Sequence, residues 1–141
     1  MPNELSIGLI GCGGMMGAHV NGYRELWAHD LRDFRIVACC DIREDAAARM
    51  ADDIAAFQGS RPAIYTDVES LLSGCSNLDA CDISVLHSEH HTVTVPCLQA
   101  GKHVIVEKPM ALSIKDADAM IEASKKYNCK LCVSFQNRFN L

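Results

Sequence analysis

No apolar run in this chain approaches the length of a membrane span, so no transmembrane helix is expected. No Lys or Arg precedes the apolar, glycine-rich opening stretch. It therefore lacks the charged lead of a secretory signal, and a cytoplasmic protein is expected. Basic runs are missing too; Lys125-Lys126 is a two-residue patch, and the formal net charge of −5 argues against a nucleic-acid surface. No linker, low-complexity tract or short-period repeat divides the 141 residues, which read as one domain over 1–141. Cys129-x-x-Cys132 has no second Cys-x-x-Cys to complete a four-thiolate metal site. Cys39, Cys40, Cys81 and Cys132 lie inside apolar runs, where free Cys behaves as a small core hydrophobe, and no disulfide framework is expected.

What the chain does have is a glycine cluster between two regular patterns. The apolar run 7–10 stops at Gly11, Gly13, Gly14 and Gly17, and a helical pattern over 15–27 follows at once. Strand, glycine turn and helix form the context of a dinucleotide-binding fingerprint. Gly11 allows the tight turn, and Gly13 has no Cβ to keep the backbone from a diphosphate. The amides at the new helix N-terminus favour its charge. The third fingerprint glycine falls at Met16, with Gly17 one place late, so helix and strand must fit together differently there. A bare tight turn remains the alternative on this stretch alone.

Further on, apolar runs alternate with helical patterns. Strands are expected at 35–40, 63–65, 80–85, 103–106 and 130–135, and helices at 44–57, 68–72 and 92–100, with one opening at Ser113 and fading at Tyr127-Asn128. Pro96 opposes a helix over 92–100, whereas the shared face of Val93, Cys97 and Ala100 and the stop at Gly101 favour it. Six strands separated by helices make an α/β fold: a Rossmann-type, doubly wound parallel sheet in three α/β/α layers.

In such sheets ligands bind beyond the carboxyl ends of the strands. Asp41 ends the second strand, where an acid can accept hydrogen bonds from an adenosine ribose and repel a 2′-phosphate, so NAD is expected over NADP. Arg43 keeps NADP open. After the fifth strand come Glu107-Lys108-Pro109. Lys108 can donate to a substrate hydroxyl or carbonyl, Glu107 can accept from Lys108 or a ribose, and Pro109 stiffens the turn and can take a cis peptide. His87, His90 and His91 lack an Asp or Cys at matching spacing, so no metal is expected, and His90 is the one assigned to the cofactor or substrate.

Together these motifs resemble the N-terminal domain of the glucose–fructose oxidoreductase and inositol dehydrogenase (Gfo/Idh/MocA) family. The residues that carry the likeness are Leu9-Ile10-Gly11-Cys12-Gly13-Gly14 with His19, Tyr65-Thr66-Asp67, the stretch 100–109 ending in Glu107-Lys108-Pro109, and Gln136-Asn137-Arg138-Phe139. The resemblance implies cofactor contacts from Gly11, Cys12, Gly13, Gly14, Met15 and Met16, from Asp41, Ile42 and Arg43, from Val85, Leu86 and His90, and from Glu107, Lys108 and Pro109. It implies a catalytic, substrate-orienting Lys108, with Arg138 reaching the same cleft, and hydride exchange between a nicotinamide and a sugar, polyol or related alcohol. Leu86 and Met16 depart from the family pattern. Family members also carry a second α+β domain, so a piece ending at Leu141 is expected to be inactive alone and to self-associate through uncovered apolar surface; a homo-oligomer is expected. A non-catalytic dinucleotide sensor or scaffold is the alternative.

Overall fold

The structure is a computed structural model that describes residues 4–139. Six strands, β1 (Leu5–Ile10), β2 (Phe34–Cys40), β3 (Ala63–Tyr65), β4 (Ala80–Ile83), β5 (His103–Glu107) and β6 (Leu131–Ser134), form one sheet. Between them lie five helices, α1 (Gly14–Ala28), α2 (Glu44–Gln58), α3 (Val68–Gly74), α4 (His90–Gln99) and α5 (Ile114–Lys126). Every strand pair is parallel, and the order is β3-β2-β1-β4-β5-β6. The chain winds outward from β1 to β3, then crosses to β4 on the other side of β1. The crevice between the ends of β1 and β4 is therefore the switch point at which such sheets bind ligands.

Strand alternation divides the core into two layers. On one face Ile7, Leu9, Ile36 and Cys39 meet Met16 and Val20 of α1 and Ala47, Met50, Ala51 and Ile54 of α2. On the other, Ile10, Cys40, Cys81, Ile83, Val104 and Val106 pack against Leu71 of α3, Cys97 and Leu98 of α4, and Met120 of α5. The element order follows the sequence expectation. Helix α4 starts at His90 rather than 92 and keeps Pro96 inside it. A proline there removes one backbone bond, and the burial of Cys97 and Leu98 on the sheet offsets it.

Three local details matter. Gln58 is buried, and its amide pairs with both backbone groups of Ile36 (2.8 and 2.9 Å), continuing the ladder on the side of β2 where β3 has not begun. Asp67 and Ser113 cap α3 and α5 through the amides of Ser70 and Asp116. Cys132, expected in the core, is exposed. It alternates with Leu131 and Val133, which face α5, and so points to the opposite side of edge strand β6, which α1 and α2 do not reach.

Candidate functional site

Backbone geometry explains the glycine turn. Gly11 has φ +86°, and a Cβ there would overlap the Ser84 carbonyl, so only glycine fits. Its N–H donates to Cys40 O (2.8 Å), and the next amide, Cys12 N–H, donates to Asp41 Oδ2 (2.7 Å). The second Asp41 oxygen accepts Arg43 N–H at 2.8 Å. Gly13 and Gly14 differ from Gly11: an added Cβ would meet nothing within 4 Å, because both face open space. No side chain caps α1 at Gly13, and its first intrahelical bond is Gly17 N–H to Gly13 O. The amides of Gly14, Met15 and Met16 thus have no intrahelical acceptor, and they sit at the positive end of the helix.

A cleft of about 570 Å³ opens here. Of the residues implied by the sequence, Gly11, Gly13, Gly14, Met15, Asp41, Ile42, Arg43, Val85 and Leu86 line it. Ile10, Cys40, Thr66, Asp67, Val68, Ser84, Glu89 and Val93 complete the wall and were not singled out as contacts. Cys12 is not part of the wall; its amide donates to Asp41 and its thiol to Cys40 O (3.6 Å). Met16 does not face the cleft: its side chain is 0% exposed in the α1–α2 core. A buried Met stabilises by about 2 kcal/mol, which accounts for a large residue where the fingerprint has glycine. Gly17 has no close neighbour, so it does not take over the packing role of the displaced glycine.

Glu107, which ends β5, and Lys108 and Pro109, which follow it, lie outside that cleft wall, and the Lys108–Pro109 peptide is cis. His90 is fully buried; its Nδ1 donates to Pro109 O at 2.8 Å, and Nε2 lies 3.3 Å from Val85 O. It therefore braces the loop from behind and does not project into the cleft. Arg138, on the short turn Gln136–Arg138, lies over the Phe135 ring (5.4 Å) and is not part of the cleft wall.

One cluster was missed. His19 and Tyr23 lie four residues apart on one face of α1, and both reach Asp82 of β4. His19 Nδ1 donates to the Asp82 carboxylate at 2.9 and 3.0 Å, and Nε2 donates to Glu107 Oε1 at 2.8 Å. Both partners are acceptors, so the ring must be an imidazolium. The hydrogen bond to Asp82 chiefly, set against burial, raises its pKa to about 9. Burial pushes the Glu107 carboxyl up, but the bonds from His19 and Ser134 outweigh it and hold it below the usual range. Burial and the Asp82 charge push the Tyr23 phenol up. The signals available in the sequence were the i, i+4 pair His19 and Tyr23 and one Asp inside an apolar strand.

Open glycines, unpartnered helix amides, a strand-end acid and a cleft of this size fit the adenosine and diphosphate of a dinucleotide. Known proteins agree. The chain is 29% identical over 136 residues to myo-inositol 2-dehydrogenase of Thermotoga maritima and 33% identical over 125 residues to D-apiose dehydrogenase of Paraburkholderia graminis. These matches cover 96% and 89% of this chain but 37% and 30% of those proteins. The WlbA dehydrogenase of Bordetella pertussis, solved with NADH and UDP-GlcNAcA, superposes with a TM-score of 0.80 at 28% identity, over 97% of this chain and 38% of that one. The chain thus spans less than two fifths of these relatives. Residues 5–135 match the family described as "Oxidoreductase family, NAD-binding Rossmann fold" (GFO_IDH_MocA), and the chain belongs to that family as its NAD-binding domain.

Proposed function

We propose that this chain forms the cofactor side of an oxidoreductase site acting on a sugar, polyol or related alcohol. The observation that carries the reading is the pairing of the open Gly13–Gly14 cradle with Asp41 across one cleft. Asp41 has two oxygens fixed by backbone amides and lone pairs left for a ribose diol. The Gly14, Met15 and Met16 amides receive the diphosphate, and Ile42 and Leu86, both exposed, flank the base. Nicotinamide, when bound, supplies or takes up the hydride. Lys108 orients the substrate hydroxyl and assists its proton, while Glu107 and His90 hold the segment that carries Lys108.

NAD is the proposed cofactor. Asp41 opposes a 2′-phosphate, and the Arg43 guanidinium, which could accept one, is engaged by Asp45 at 2.9 Å. The proposed setting is the cytoplasm, a reducing compartment that suits eight free thiols. A homo-oligomer is proposed on the exposed Leu112, Ile114 and Phe139. No observation favours the sensor or scaffold alternative. Calorimetric titration with NADH and then NADPH tests the reading. Saturable binding with NADH preferred supports it, and failure of both to bind would sink it.

A further inference from the structure

The segment Glu107 to Pro109, at the end of β5, is gripped at both ends, from opposite faces of the sheet. On the α1 face, His19 Nε2 holds Glu107 Oε1 at 2.8 Å, and Glu107 Oε2 accepts the Lys108 amide at 3.2 Å. On the α4 face, His90 holds the Pro109 carbonyl at 2.8 Å. Between these anchors, and among the described residues, no hydrogen bond or ion pair holds the Lys108 ammonium.

His19 is itself fixed. Its other nitrogen is on Asp82, which also accepts Tyr23 OH at 2.9 Å. Asp82 is 1% and Glu107 5% exposed, so two carboxylates are withdrawn from water around one ring. A buried ion cluster of this kind stabilises little beyond what well-packed apolar side chains of equal volume would give. What apolar side chains cannot supply is direction. The ring turns Glu107 so that its second oxygen meets the backbone of the next residue.

We propose that His19 is a positioning residue that acts through Glu107 to fix the Lys108 backbone, with His90 fixing the far end, so that a free ammonium stands on an immobile base. The use of that ammonium on a substrate rests on the function proposed above; the grip does not. The titratable groups facing His19 are Asp82 from β4 and Glu107 from β5, with Tyr23 of α1 reaching it through Asp82. Ser134 of β6, which pairs with Glu107 across the sheet, also favours the ionised Glu107 carboxyl.

The test is an NMR titration of the whole chain from about pH 6 to about pH 10.5, following the His19 ring and the Lys108 amide together. The Lys108 amide should inflect with the ring. In His19→Gln that inflection should vanish and Lys108 amide exchange should rise about tenfold, with Cys12 and Arg43 amides unchanged. A Lys108 amide that stays flat while the ring titrates in the wild type would overturn the proposal, and so would unaltered exchange in a folded His19→Gln. Should that variant not fold, the wild-type titration decides by itself. An NADH titration on the same sample separates the two readings: a coupled Lys108 amide without NADH binding sustains the grip and overturns the proposed function.

Discussion

Asp41 Oδ2 accepts the Cys12 amide at 2.7 Å, fastening the acid that ends β2 to the glycine turn that ends β1. One carboxylate is therefore both a staple and a binding group. Asp41→Ala should weaken NADH binding by about tenfold to a hundredfold and cost about 1–3 kcal/mol of stability, because two amides lose their acceptor. Asp41→Asn keeps one acceptor oxygen and turns an NH2 donor toward the other amide, so it should lose affinity and part of that stability. Calorimetry and urea unfolding separate the two effects; wild-type affinity in Asp41→Ala would remove this residue from the site.

Gly11 and Gly13 should fail in different ways. Gly11→Ala puts a methyl group against the Ser84 carbonyl at a positive φ, and a loss of about 2–4 kcal/mol is expected in thermal or urea unfolding. Gly13→Ala meets no protein atom, so stability should stay within about 0.5 kcal/mol while NADH affinity drops. Strong binding by a folded Gly13→Ala would mean that the diphosphate lies elsewhere.

Stability should also depend on pH through His19. Its pKa is raised from 6.5 to about 9, with a side chain only 15% exposed. The group's contribution is complete below its unfolded value and is lost as pH climbs through about 9. The loss is on the order of 3 kcal/mol at its fullest. Glu107, held below the usual carboxylate range, acts at the other end, and its contribution is lost as pH falls through that lowered value. Urea midpoints across this span should fall on the alkaline side in the wild type and flatten there in His19→Gln. A wild-type midpoint that stays level up to about pH 10 would contradict the assignment.

Cofactor choice offers a fourth prediction. Asp45 bridges Arg43 at 2.9 Å and Arg49 at 2.7 Å, and these bonds, that from Arg49 first, hold its carboxyl down at about 2. It is ionised at neutral pH and occupies the guanidinium of Arg43, two residues after Asp41. Asp45→Asn should release Arg43 and shift the NADPH-to-NADH affinity ratio by about threefold to tenfold toward NADPH, an effect that fades in salt. An unchanged ratio at low salt would show that Arg43 does not reach the ribose end.

The architecture was legible in the sequence because strand and helix periods are local. Ile7 to Ile10, Arg35 to Cys40 and the helical stripe on α2 announce themselves within a few residues. The glycine turn and Asp41 were legible for the same reason, since each sits at a strand end. Fingerprint spacing fixes the position of Met16 and not the direction of its side chain; here that direction is inward, which leaves its backbone amide as the group open to a cofactor. His90 likewise stands beside the loop and is turned away from the cleft. The Asp82–His19–Glu107 cluster was not legible. Asp82 and Glu107 lie 63 and 88 residues from His19 in sequence, and the three meet only because β4 follows β1 in the sheet and β5 follows β4. A lone Asp in an apolar strand marks an unknown partner without naming it.

The exposed Cys132 gives the molecule an internal clock. Seven of its eight thiols are buried and this one is open to solvent. A thiol-reactive dye should therefore consume one equivalent quickly under native conditions and the other seven only as fast as the sheet opens. The gap between the fast and slow phases counts opening events directly. It makes the chain a reporter of its own unfolding, with no label engineered in.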